Sequence, residues 1–275
     1  MSTSWKQGPG RAESSEERET RAVLLEASRR VFVPIPKVFV QHPRRPGVAD
    51  RHGPLAEFVR AGDRRGLLAL LMVHGAISSG AGPGGFSKAL PLMVWARAFG
   101  TTVDAEPVSA RSAATRILAR LERRRLIERR RVGQERRVQV RLLAADGSGR
   151  AYTRPRGTSP GQRFLRLSHR FWTEGWDQEL SLPGIAMLLV ALHERPGFAL
   201  ATAHMPAWYG FSADTAERGF AELRDHGLLR VERRSRRDPL TTEFVTWFNQ
   251  YTLVAPFDPA TVQTDQDRKI HGNDR

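Results

Sequence analysis

The sequence contains no cysteine among its 275 residues, which excludes disulfides, thiolate catalysis and cysteine-ligated zinc. The eight histidines show no metal-ligand spacing, and no cluster of carboxylates suggests a two-metal nuclease. Only three tyrosines occur, and the partner residues that a tyrosine recombinase or relaxase needs are not visible. We therefore expect no enzymatic activity, no metal and no cofactor.

Long apolar runs are also missing. No stretch reaches the roughly 18 apolar residues that a transmembrane helix needs, and residues 1–20 lack the apolar core of a signal peptide. The glycine-rich stretch 80–88 lacks the Gly-Lys-Ser/Thr order of a phosphate-binding loop, so we interpret it as a loop between helices. We expect a cytoplasmic, nucleoid-associated protein with no membrane partner and no evident small-molecule ligand.

Acidic residues and lysine are scarce relative to arginine. The formal net charge is +15 and the pI is about 11.3, which favours a polyanionic partner, with nucleic acid first and an anionic membrane surface second. Residues 109–141 hold twelve arginines and three acids, so this stretch carries +9 of the net charge. A charge run is usually a solvated helix face, and arginine excess also follows from GC-rich coding. An ordinary solvated face mixes signs, however, whereas this one is nearly all positive.

The same stretch has a regular apolar pattern. A helix is predicted from Ser109 as N-cap to about Arg125, with a stripe formed by Ala113, Ala114, Ile117, Leu118 and Leu121. A strand from Leu126, a turn at Gly133 and a return strand over 137–142 follow. Small polar residues and arginines lie opposite the stripe, as suits a helix that approaches a groove and its phosphates.

Composition divides the rest of the chain into segments. The predicted segments are a disordered tail (1–20), an extended arm on a domain surface (21–53), a first unit (54–145), a basic linker (146–162), a second unit (163–257) and a disordered tail (258–275). In the first unit, 87–99 is predicted as one helix with Pro91 in its first turn. In the second unit, helices are predicted to begin at Ser181 and Ser212, with a loop over 233–242 between two strands.

The two units are related by an internal repeat. Shifted by 102 residues, 118–127 lies over 220–229, and a basic hairpin is predicted after both. The copies differ in charge, because Asp214, Glu217 and Asp225 stand where the first helix has Ser112, Thr115 and Arg123.

The order of the predicted elements resembles the winged helix-turn-helix superfamily. These elements are an apolar helix, a short helix ending in Gly, a capped helix, the pair Leu-Leu/Ile and a basic hairpin. The segment 212–234 is similar to the third helix and wing of bacterial regulators of the MarR-like group, and tandem copies also resemble plasmid replication initiators. The resemblance implies a mainly α fold with small β-wings (α+β), built as two winged helix-turn-helix domains in tandem. It also implies that the third helix enters the major groove of double-stranded DNA while the wing touches the backbone or the minor groove.

The resemblance places DNA contacts on both units. In the first unit they are Ser109, Arg111, Ser112, Thr115, Arg116, Arg120 and Arg123 on the helix and Arg130, Arg131, Arg136 and Arg137 on the hairpin. In the second unit they are Thr215 and Arg218 on the helix and Arg233, Arg234, Arg236 and Arg237 on the wing.

The first helix is expected to set specificity in a sequence-specific transcriptional regulator. The acids on the second helix would repel phosphate, so the second unit is expected to act mainly through its wing or in homodimer formation. The alternatives are a plasmid or mobile-element replication initiator that binds origin repeats, and a winged-helix module for protein interaction.

Overall fold

The computed structural model describes residues 13–44, 46–77, 85–133 and 137–272. Within these residues the chain forms eleven α-helices and three small antiparallel sheets. The predicted α+β class is therefore confirmed.

The N-terminal part is more ordered and more buried than predicted. It contains α1 (Ser15–Glu26) and β1 (Phe32–Pro36). Ser14 caps α1, and Arg21 is buried, donating to the Ala98 carbonyl and to Asp177. Disorder up to residue 20 was therefore a wrong prediction for the described part, since long-range partners hold α1; residues 1–12 lie outside the described residues.

The arm predicted to lie on a domain surface is instead a buried strand. All five residues of β1 are buried, and the strand pairs antiparallel with residues 164–168. Its prolines, Pro34 and Pro36, are compatible with this position because each strand of a two-stranded sheet has an edge that needs no donor.

The first unit consists of four helices and a three-stranded sheet. Its elements are α2 (Leu55–Arg60), α3 (Arg64–Ala76), β2 (Ser87–Leu90), α4 (Leu92–Ala98), α5 (Pro107–Arg123), β3 (Ile127–Val132) and β4 (Arg137–Leu142). The sheet order is β2-β4-β3. The single helix predicted over 87–99 is wrong because β2 pairs with the distant β4, and Pro91, in an extended conformation, separates β2 from α4.

The second unit has its own three-stranded sheet. Its elements are β5 (Phe164–Ser168), α6 (Arg170–Thr173), α7 (Trp176–Glu179), α8 (Leu182–His193), β6 (Phe198–Ala199), α9 (Met205–Tyr209), α10 (Ala213–Asp225), β7 (Leu229–Arg237) and β8 (Val245–Leu253). The predicted helix starts at Ser181 and Ser212 are confirmed, and each serine caps its helix. The predicted loop is shorter than expected, because cross-strand pairing carries β7 through Arg237.

The two units share one order of elements. Helix, strand, short helix, long helix and hairpin occur as α3-β2-α4-α5-β3-β4 and again as α8-β6-α9-α10-β7-β8. In each sheet the last strand lies in the centre, with orders β2-β4-β3 and β6-β8-β7. The relation indicated by the 102-residue offset therefore extends to the topology.

The C-terminal segment is a helix rather than the predicted disordered tail. This helix is α11 (Pro259–Gly272), and its Val262 is buried. Gln266 accepts a hydrogen bond from Val31 N, and Lys269 donates to the Ser28 carbonyl. The polar sequence of this segment does not indicate the helix, because the residues that anchor it lie more than 200 positions away in the chain.

Contacts also join the two units. Arg64, at the start of α3, donates to the carbonyls of Asp177, Gln178 and Leu180. Gly210 ends α9 with a φ of 78°, and a Cβ there would lie 2.7 Å from the Ala56 Cβ. The buried apolar side chains of β1 and both units form one continuous cluster.

The segment 146–162, predicted as a linker, packs against the first unit. Leu143 and Ala151 form a β-bridge. The Tyr152 ring lies 5.0 Å from that of Phe86 and 5.7 Å from that of His74. Few residues of the segment are apolar, but the bridge at Ala151 and the ring contacts of Tyr152 join it to the first unit.

Candidate nucleic-acid interface

Helix α5 buries one face and presents the other to solvent. Its buried residues are Ala110, Ala114, Ile117, Leu118 and Leu121. The predicted stripe is confirmed except that Ala110 is buried and Ala113 is only half-buried. Ser109 is not the N-cap, because α5 begins at Pro107, whose missing N–H is harmless in the first turn.

Most predicted helix contacts lie together on the exposed face of α5. The exposed residues among them are Ser109, Arg111, Ser112, Thr115, Arg116 and Arg123. Among the described residues, the guanidinium groups of Arg111, Arg116 and Arg123 have no carboxylate partner. The Thr115 hydroxyl donates to the Arg111 carbonyl at 2.9 Å, which leaves its oxygen able to accept. This face therefore combines uncompensated positive charge with small polar groups.

Arg120 does not belong to this face. Its Nε and Nη2 donate to the two carboxylate oxygens of Asp63 at 3.0 and 2.9 Å, and Arg124 donates to the same carboxylate at 2.7 Å. Burial would raise the pKa of Asp63, but the hydrogen bonds from Arg120, Gly66 and Arg124 outweigh it and lower that pKa. Arg120 therefore anchors α5 to the start of α3, and the structure places it apart from the exposed arginines with which it was predicted to contact DNA.

The β3–β4 hairpin is fixed against α5 by Arg129. Its Nε donates to Glu122 at 2.8 Å and its Nη1 donates to the Thr115 carbonyl at 3.1 Å. The sequence reasoning overlooked this role and that of Asp63; the Glu122–Arg129 pair, seven residues apart and of opposite sign, was the available signal. Arg129 thereby places the hairpin beside the exposed face of α5.

The predicted hairpin contacts that the structure describes lie on β3 and β4, the strands that Arg129 holds beside α5. Arg130 donates to the Gln139 side chain, and Arg131 is exposed without a carboxylate partner among the described residues. Arg137 is exposed on β4, and Arg136 lies outside the described residues. A groove of about 810 Å³ runs between α5 and the hairpin, and its lining includes Arg111, Thr115, Arg129, Arg130 and Arg131. The structure therefore places predicted contact residues of the helix and of the hairpin on one surface.

The matching face of α10 is neutralised. Arg218 pairs with Asp214 at 3.0 Å within the helix, and Arg224 pairs with Asp225 at 2.9 Å. Thr215, a predicted contact, is half-buried at the first turn. The two helices therefore differ in pairing as well as in charge. The exposed arginines of α5 have no carboxylate partner among the described residues, whereas those of α10 do.

The hairpin of the second unit projects arginines on both of its faces. Arg233 and Arg237 share one face with Trp247, which is 52% exposed and lies 4.7 Å from the Arg233 guanidinium. Arg234 and Arg236 lie on the opposite face, where Arg234 pairs with Glu232. These four residues are exposed as predicted, but they lie on β7 rather than in a loop.

Comparison with protein-family models, curated proteins and solved structures gives no match to this chain. Within the part of the chain that the structure describes, no group of three or more His, Asp or Glu residues could hold a metal ion. None of the described helices has the length and apolar character needed to span a bilayer.

Proposed function

We propose that the protein binds double-stranded DNA in a sequence-specific manner as a transcriptional regulator, with two winged-helix units in tandem. The shared order of helix, strand, short helix, long helix and hairpin in both units supports this assignment. In such a unit the long third helix enters the major groove and the hairpin touches the backbone or the minor groove. Helix α5 and the β3–β4 hairpin hold these positions in the first unit.

The observation that carries the proposal is the uncompensated charge on the exposed face of α5. Arg111, Arg116 and Arg123 point to solvent on a helix whose own acid on that flank, Glu122, is engaged by Arg129. Free guanidinium groups neutralise phosphates and also make bidentate contacts to guanine. Ser112 and Thr115 between them are small enough to let the helix backbone approach the base edges.

The second unit has an auxiliary role in this proposal. Its α10 face carries ion pairs that DNA would have to break, so α10 is a poor major-groove reader. Its hairpin keeps exposed arginines beside Trp247 and contacts the backbone next to the site read by α5.

A selection from random double-stranded oligonucleotides tests the proposal. We expect one enriched sequence, bound more tightly than unrelated DNA at the same salt concentration. Recovery of no enriched sequence, with weak and salt-labile binding only, would contradict it.

A pair of single variants then tests the assignment of the reader. Arg116→Ala should weaken binding to the selected site by about 1–3 kcal/mol if Arg116 makes a bidentate base contact. Arg224→Ala is the matched control, since Arg224 is also exposed but is paired with Asp225. Equal affinities of the wild type and Arg116→Ala would remove Arg116 from the interface.

A further inference from the structure

A second cluster of arginines lies away from α5, where β1, β5 and the segment after the first unit meet. It surrounds a cavity of about 550 Å³, whose lining includes Arg30, Phe86, Arg154, Arg156 and Phe164. This volume lies within the range of sites that hold small organic ligands. The cavity is therefore large enough for a ligand of one or two rings.

Arg154 is the most unusual member of this cluster. Its Nη2 atom is buried and has no hydrogen-bond partner among the described residues. Its guanidinium lies 5.3 Å from the centre of the Phe86 ring, a contact that positions the charge without neutralising it. A buried, charged donor without an acceptor costs free energy, and an anion bound beside the Arg154 guanidinium would offset part of that cost through its charge.

No described carboxylate compensates the cluster. Burial and the neighbouring charges of Arg154 and Arg166 lower the pKa of Arg30. The Tyr152 hydroxyl interacts with Arg154 and Arg30, but burial raises its pKa to about 12, so it is uncharged at neutral pH. The like charges around the cavity therefore favour a bound anion.

The walls of the cavity are aromatic. Phe164 stacks on Phe32 with ring centres 6.3 Å apart and an interplanar angle of 15°. Phe32 is also approached by the guanidinium groups of Arg30, at 5.8 Å, and Arg166, at 5.1 Å. Phe86 lines the cavity from the first unit, so flat apolar surface and positive charge converge there.

We propose that this cavity binds a small organic anion, with its phosphate or carboxylate group held by Arg154 and Arg30 and its flat apolar body against Phe86 and Phe164. The recessed position of the Arg154 Nη2 atom favours a small molecule over a duplex backbone, which cannot enter a cavity of this size. The site is separate from the α5 face, and the proposal does not depend on DNA binding.

Titration calorimetry with phenyl phosphate, which joins an aromatic ring to an anion, is the direct test. We expect binding at concentrations of about 10 mM or below, weaker binding of inorganic phosphate, and no binding of benzyl alcohol. Absence of heat from phenyl phosphate throughout this range would overturn the proposal, as would equal binding of benzyl alcohol.

Two arginine variants locate the site. Arg154→Gln should weaken phenyl phosphate binding by at least about tenfold. Arg150→Gln should leave it unchanged, because Arg150 lies on the same segment but pairs with Asp146 at the surface. Equal weakening by both substitutions, or by neither, would overturn the assignment.

Two further measurements separate this site from a structural or DNA-binding role. Without ligand, Arg154→Gln should melt within about 2 °C of the wild type, because no described carboxylate pairs with the charge that it removes. A larger fall would assign Arg154 to folding instead and overturn the proposal. A duplex oligonucleotide should not displace phenyl phosphate. Displacement, together with duplex binding weakened as much as by Arg116→Ala, would place the cluster on the DNA-binding surface and overturn the proposal.

Discussion

Replacing the three unpaired arginines of α5 with glutamine should change the salt dependence of DNA binding in a calculable way. Each phosphate contact contributes about 0.9 to the slope of log K against log salt. If Arg111, Arg116 and Arg123 each neutralise one phosphate, the triple variant should lose about 2.7 from that slope. The corresponding loss of affinity is about 150-fold at 0.15 M salt, or about 3 kcal/mol, and about 3000-fold at 0.05 M.

The measurement is fluorescence anisotropy with a labelled duplex over a series of salt concentrations. A matched triple variant, with Arg18, Arg150 and Arg224 changed to glutamine, loses the same charge from exposed arginines that already have carboxylate partners. Its slope should fall by less than about 1. An equal fall in both variants would show that only net charge matters, and an unchanged slope in the α5 variant would refute the reasoning.

Three further predictions concern stability and pH. Asp63→Ala should lower the free energy of unfolding by about 2–3 kcal/mol, because Arg120 and Arg124 lose their shared acceptor; a loss below about 1 kcal/mol in urea denaturation would contradict this. Burial lowers the pKa of His74 to about 4, so the unfolded chain binds more protons below about pH 6.5. The wild type should therefore lose about 2 kcal/mol of stability between pH 7 and pH 5 through this residue; His74→Phe should remove that loss, and an identical pH profile would argue against it. Arg64→Met deletes three hydrogen bonds to carbonyls of the second unit and should lower the free energy of unfolding by about 2–3 kcal/mol. Calorimetry should show a lower or split unfolding transition, and an unchanged transition would contradict this prediction.

Local signals predicted the parts of the fold that depend on neighbouring residues. Ser181 and Ser212 accept hydrogen bonds from the first turns of α8 and α10, three residues away. Gly227 follows the C-cap of α10 with a positive φ of 70°, the left-handed conformation in which glycine commonly ends a helix. The exposed face of α5 was predicted for the same reason, since helical periodicity separates it from the apolar stripe.

The parts that sequence reasoning missed depend on distant partners. Arg120 looked like a groove contact because its acceptor, Asp63, lies 57 residues earlier. Residues 87–90 looked helical because their pairing with β4 crosses about 50 positions of the chain. The arginine cavity combines Arg30, Phe86 and Arg154 from three separate segments, so no local motif could indicate it.

The pairing of β1 with β5 bears on how the chain reaches its native state. β1 cannot pair until residues 164–168 are present. The backbone N–H of Val31 donates to the side chain of Gln266, which follows 235 positions later. Contacts between residues so far apart in the sequence form slowly, because the chain loses conformational entropy before those contacts stabilise it. During synthesis the first unit would therefore wait, with the apolar β1 unpaired, until the second unit has emerged from the ribosome. In this period Val33 and Ile35, which are fully buried in the folded chain, would be exposed on an unpaired apolar strand, the kind of segment that favours aggregation.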